Sequence, residues 1–200
     1  MKTVWLLGDS IRMGYQNYVQ KNLPDVNVEA PEENCRFSSY MLNSLRFWLP
    51  NLEKPDVIHF NAGLWDTACL YVDDGAFTKK EEYVRNILSI ARELKRYNVP
   101  VIFATSTPVN AEDISAVATP SVDAPDAETV FKQDNKRIKE YNDAVVPELK
   151  KQGIIINDLY SLVINDRQKY ISSDGIHMNE VGIELLGNAV VENIKKYIGE

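Results

Sequence analysis

Histidine and cysteine are scarce in this sequence, two of each in 200 residues. Cys35 and Cys69 have neither CxxC nor metal-knuckle spacing, so they read as free thiols of a reducing compartment. No His-Glu-x-x-His zinc site, Gly-Lys P-loop pair or Gly-x-Gly-x-x-Gly turn occurs, which removes the usual metal-protease, nucleotide and dinucleotide readings. A Gly-x-Ser-x-Gly elbow is also missing, which disfavours an α/β-hydrolase. Positive charge is in deficit, with 22 Lys and Arg against 29 Asp and Glu and a net charge of −7. That balance argues against a nucleic-acid partner. No segment approaches the roughly 20 apolar residues of a membrane helix. The apolar run at 3–7 is too short for a secretory h-region and has no small-residue cleavage site after it. The expectation is a cytoplasmic protein with no membrane partner. Neither repeats nor low-complexity segments occur.

What is present is an ordinary globular composition, 44% hydrophobic and 26% charged. Its length suits one domain spanning residues 1–200. Short apolar runs at 3–7, 26–28, 57–60, 101–104 and 154–156 are each bounded by Gly, Pro, Asn or Asp. Such runs suit parallel strands buried on both faces. Between them lie amphipathic stretches. Thr78 with Glu81 reads as a capping box ahead of a stripe through Tyr83, Ile87, Ala91 and Leu94. Further helices are expected over 38–48, over 131–150 with Pro147 kinking it or starting a new turn, and after an Asn179 cap. The alternation predicts an α/β protein, a five-stranded parallel sheet with helices on both faces. Ligands of such sheets bind at the carboxyl ends of the strands. Gly8-Asp9-Ser10, Asn61-Ala62-Gly63 and Thr105-Ser106-Thr107 stand there. A long polar stretch at 108–129 is either an insertion or a lid.

Ser10 lies two residues past a strand, at the turn into a helix. It could present its hydroxyl near helix N-terminal amides, or simply cap the helix. A serine nucleophile needs a base, normally histidine held by a carboxylate. His59 lies inside a buried run and reads as structural. His177 follows Asp174-Gly175-Ile176 in a polar turn, and Asp174 could hold its ring. The pair could equally be an Asp-Gly turn with an incidental histidine.

Taken in order, these segments resemble the SGNH, or GDSL, hydrolase family. Gly8-Asp9-Ser10-Ile11 is similar to its first block, Asp174-Gly175-Ile176-His177 to its last, and Gly63-Leu64-Trp65-Asp66 to its third. Thr105-Ser106-Thr107-Pro108 also fits the family's pattern. The resemblance implies a flavodoxin-like three-layer α/β/α sandwich and a Ser10–His177–Asp174 triad. It further implies an oxyanion hole built from the Ser10 amide, a block-two glycine amide and a block-three asparagine. Both of the last two depart here. Block two, from Asn34 to Ser39, puts Ser38 where glycine is usual, and block three has Trp65 in place of asparagine. The expected substitutes are the Ser38 amide and the Asn61 side chain. Asp9, Phe37, Gly63 and Trp65 are the expected substrate-binding residues, and Tyr40 and Tyr71 could join them in stacking on sugar rings. Arg12 and Arg36 read as solvated arginines unless the substrate is anionic. The chemistry needs no metal and no organic cofactor. The implied function is hydrolysis of a small-molecule ester with a short acyl group, on an acylated sugar. A lysophospholipase or arylesterase competes, as does a non-catalytic binding module, which the altered third block favours. Oligomeric state is not readable from these residues.

Overall fold

A computed structural model describes residues 1–69, 75–110 and 133–199. Tyr71 and most of the 108–129 stretch lie outside the described residues. Five strands, β1 (Lys2–Leu7), β2 (Val26–Glu29), β3 (Val57–Phe60), β4 (Val101–Ala104) and β5 (Ile155–Asn157), form one sheet in the order β2-β1-β3-β4-β5. Every neighbouring pair is parallel. The three-layer α/β/α sandwich expected from the sequence is the one observed.

Side chains alternate across each strand, so β1, β3, β4 and β5 feed two cores, while the edge strand β2 adds Val26 and Val28 to one. Val4 and Leu6 face one layer with Val57 and Ile102, where α1 (Ser10–Asn22) contributes Ile11, Tyr15 and Val19. The same layer holds α8 (Glu180–Ile198), through Leu186, Val190 and Ile194. Trp5 and Leu7 face the other layer with Ile58 and Phe60. There α2 (Ser38–Trp48) packs Met41 and Leu45, α4 (Lys80–Lys95) packs Ile87, Ile90 and Leu94, and α5 (Asn135–Lys151) packs Tyr141 and Val145. Strands buried on both faces need continuous apolar sequence, which is why the short runs were visible. Short helices α3 (Leu64–Thr67), α6 (Leu159–Val163) and α7 (Arg167–Tyr170) also occur among the described residues. Among the described residues, no helix is long and apolar enough to cross a membrane.

Of the two outcomes expected at Pro147, a kink or a new turn, the second does not occur, since helix α5 runs on through it. One local expectation gave way. Thr78 does not cap α4, whose N-cap is Lys79 without a side-chain bond. Thr78 is instead turned inward. Its amide donates to the Asp66 carbonyl at 3.0 Å, its carbonyl accepts the Tyr141 hydroxyl at 2.7 Å, and its side chain bonds the Asp66 carboxylate. Removing one donor from a buried carboxylate costs at least as much as one lost helix cap, so the tertiary contact wins.

The sheet reverses its winding between β1 and β3, because β2 lies on one side of β1 and β3 on the other. A crevice opens at the carboxyl ends of such a pair. The turns Gly8-Asp9-Ser10 and Asn61-Ala62-Gly63 both project there.

Candidate active site

Ser10 is the first residue of α1, and its neighbour Asp9 is the N-cap, accepting the Ile11 amide at 3.0 Å. Capping is therefore done by Asp9, which leaves the Ser10 hydroxyl available. Helix α1 leaves its first-turn amides without intrahelical acceptors, so the Ser10 N–H also faces a partly positive helix end. Gly8 has no room for a side chain, since a Cβ there would meet Asn61 Oδ1 at 2.0 Å and Arg12 Cβ at 2.8 Å.

The second half of the site is a tight turn ahead of α8. Asp174 Oδ1 accepts from the Ser172 hydroxyl at 2.8 Å, the Ile176 amide at 2.8 Å and the His177 amide at 2.9 Å. Gly175, at φ +77°, makes the turn. Asn179 then caps α8 by accepting the Gly182 amide. With Oδ1 spent on the turn, Asp174 Oδ2 lies 2.6 Å from His177 Nδ1. His177 Nε2 lies 2.8 Å from Ser10 Oγ. An ionised carboxylate only accepts, so Nδ1 carries the proton and Nε2 is left to accept from the serine. Helices α1 and α8 share one core, and that packing carries the two halves together.

Electrostatics fit this arrangement. Partial burial pushes the Asp174 carboxyl upward, but the Ile176 amide, the His177 ring and amide and the Ser172 hydroxyl outweigh it and hold it down to about 2. Asp174 is therefore ionised at neutral pH. Burial pushes Asp9 the other way, above the usual carboxylate range, against the Asn61 amide, the Ile11 amide and the Arg12 charge.

Several expected site residues are placed differently. Ser38 is fully buried, and its amide donates to Asp66 Oδ2 at 2.9 Å and Oδ1 at 3.1 Å. Its hydroxyl donates to Asp66 Oδ1 at 2.6 Å as well. The Ser38 amide is therefore committed to a carboxylate and is not an oxyanion donor. Asn61 is only 4% exposed and donates its side-chain amide to Asp9 Oδ1 at 2.9 Å, so it braces the cap of α1. Asp9 and Gly63 are buried too, which corrects their expected substrate contacts. Gly63 serves the backbone: at φ +149° a Cβ would meet Ser106 Oγ at 2.1 Å. Arg12 is not solvated. It is 1% exposed, with its guanidinium on the carbonyls of Gly8 and Glu33 and the side chain of Gln16. His59 is buried and structural, its ring beside Asn157 and its pKa pushed down to about 3 by burial.

Trp65 and Phe37 are half-buried. The Trp65 indole N–H has no partner among the described residues. Phe37 packs edge-on against Phe77 at 4.8 Å between centroids and against Tyr40 at 5.9 Å. Arg36, unnoticed as a backbone feature in the sequence, has φ +51°. That is the glycine-favouring conformation, so the block-two position that resembles glycine in geometry is Arg36 rather than Ser38. No residue-type signal marked it.

The sequence matches no protein-family model and no curated protein. Its structure is similar to many solved ones. A lipase/acylhydrolase from Enterococcus faecalis is 21% identical with a TM-score of 0.77, covering 98% of this chain and 96% of that one. A GDSL-like lipase from Bacteroides thetaiotaomicron is 19% identical with a TM-score of 0.72, covering 98% and 88%. An acetyl-xylooligosaccharide esterase from Geobacillus is 15% identical with a TM-score of 0.71, covering 100% and 96%. The chain has the SGNH-hydrolase fold that the order of its motifs implied.

Proposed function

We propose that this chain is a serine esterase that removes a short acyl group, most simply acetyl, from a carbohydrate ester. The observation that carries the reading is the continuous line from Asp174 Oδ2 through the His177 ring to Ser10 Oγ, with contacts of 2.6 and 2.8 Å. Ser10 Oγ attacks the ester carbonyl carbon as its proton passes to His177 Nε2. Asp174 keeps the proton on Nδ1 and stabilises the imidazolium that forms. The Ser10 amide stabilises the developing oxyanion. The alcohol leaves with the Nε2 proton, giving an acyl-Ser10 intermediate. Water, deprotonated by Nε2, then attacks the acyl carbonyl; the carboxylic acid departs and Ser10 Oγ recovers its proton.

The half-exposed rings of Trp65 and Phe37 support a sugar alcohol, since aromatic faces combine apolar area with a fixed orientation. The likeness to an acetyl-xylooligosaccharide esterase agrees with that choice. A series of para-nitrophenyl esters tests it. Acetate is expected to give the highest kcat/KM, with butyrate lower and octanoate lower still. A maximum at octanoate points to a lipid ester and rejects the short-acyl reading.

A further inference from the structure

We infer that Asn34 supplies the side-chain oxyanion donor that this chain lacks at Trp65, an inference that rests on the esterase reading above. A tetrahedral oxyanion needs preorganised N–H donors, and one backbone amide is a thin complement. The Ser38 amide and the Asn61 side chain are both engaged elsewhere.

Asn34 stands in a segment clamped to the nucleophile turn. The Cys35 amide donates to the Gly8 carbonyl at 3.0 Å, and the Gly8 amide donates to Cys35 Sγ at 3.3 Å. The Arg12 guanidinium joins the Gly8 and Glu33 carbonyls at 3.2 and 2.8 Å. These contacts hold residues 33–35 alongside the turn that ends in Ser10.

Within that segment the Asn34 amide is oriented. Its Oδ1 accepts the Arg36 N–H at 2.8 Å, which fixes which end is oxygen and turns the NH2 group away from Arg36. Asn34 Nδ2 has no partner among the described residues, and the residue is half-buried. The bond also holds Arg36 in its left-handed conformation, unfavourable for a residue with a side chain. Backbone held in sparsely populated regions concentrates at functional sites. Here it fixes the presentation of one amide.

Asn34→Asp is the decisive variant, because a carboxylate oxygen can still accept the Arg36 N–H while the donor is gone. With para-nitrophenyl acetate as probe, Asn34→Asp and Asn34→Ala are each expected to lower kcat about 10²–10³-fold with KM little changed. Binding of an alkylboronic acid, which forms a tetrahedral adduct on the serine, should weaken in parallel. Should Asn34→Ala fail to fold, Asn34→Asp alone decides. A folded Asn34→Asp with kcat within about threefold of wild type overturns the inference but leaves the esterase reading intact. A large loss confined to Trp65→Phe assigns the donor to the indole and overturns it too. A wild-type protein that neither hydrolyses the ester nor reacts with a fluorophosphonate overturns both.

Discussion

Ser10→Ala is expected to lower kcat by at least about a thousandfold, some 4 kcal/mol of transition-state stabilisation. The variant loses only a hydroxyl whose contact is His177 Nε2. Asp9, not Ser10, caps α1, so the helix keeps its cap and the melting temperature should stay within a few degrees. His177→Ala should cost a comparable amount. The double variant should be little worse than either single one, because nucleophile and base act as a unit. Steady-state kinetics on the three folded variants provides the check. Additive losses would mean that the two side chains serve separate roles, and near-normal turnover by Ser10→Ala would remove it as nucleophile.

Asp174→Asn is expected to lower kcat about 10³–10⁴-fold, through the tautomer of a different residue. The substituted side chain can keep its oxygen in the turn, accepting from Ser172, Ile176 and His177 as Oδ1 does now. Its NH2 group then faces His177 Nδ1 as a donor. The imidazole must accept there and carry its proton on Nε2, where it can no longer receive the serine proton. The native carboxyl is held down to about 2, below the unfolded value of about 3.9. Its contribution to folding is thus present above about pH 4 and lost as pH falls through about 2. The side chain is 40% exposed, and solvent screening keeps that contribution small. The loss should therefore appear in kcat and not in the melting temperature. Above pH 4 no fall in activity can come from protonating Asp174 itself. A loss below tenfold in a folded Asp174→Asn would show that the carboxylate does not set the tautomer.

The sheet was legible because parallel strands buried on both faces leave unbroken apolar runs. The observed β3 and β4 coincide with the expected 57–60 and 101–104. Helix α2 and the Asn179 cap were legible for an equally local reason: side-chain periodicity and capping chemistry lie within a few residues of each other. The meeting of Ser10 with His177 spans 167 residues, and no local rule reaches that far. It was anticipated from the ordered motifs together with the rule that ligands gather at strand carboxyl ends. The oxyanion side was misread for long-range reasons. Asp66 claims both the Ser38 amide, 28 residues away, and Thr78, and nothing in either local sequence announces it. Asn61 looked free at a strand end, yet it braces Asp9 across 52 residues. Arg36 adopts a glycine-like φ without being glycine, so the motif could not show where the backbone turns.

The central claim is that Ser10 is an activated nucleophile, and covalent capture reads this directly. Wild-type protein treated with a fluorophosphonate and mapped by peptide mass spectrometry should carry a single phosphonyl adduct on Ser10, formed far more slowly in His177→Ala. An unmodified Ser10 in folded protein that still hydrolyses esters, or an adduct formed equally fast without the imidazole, would contradict the account.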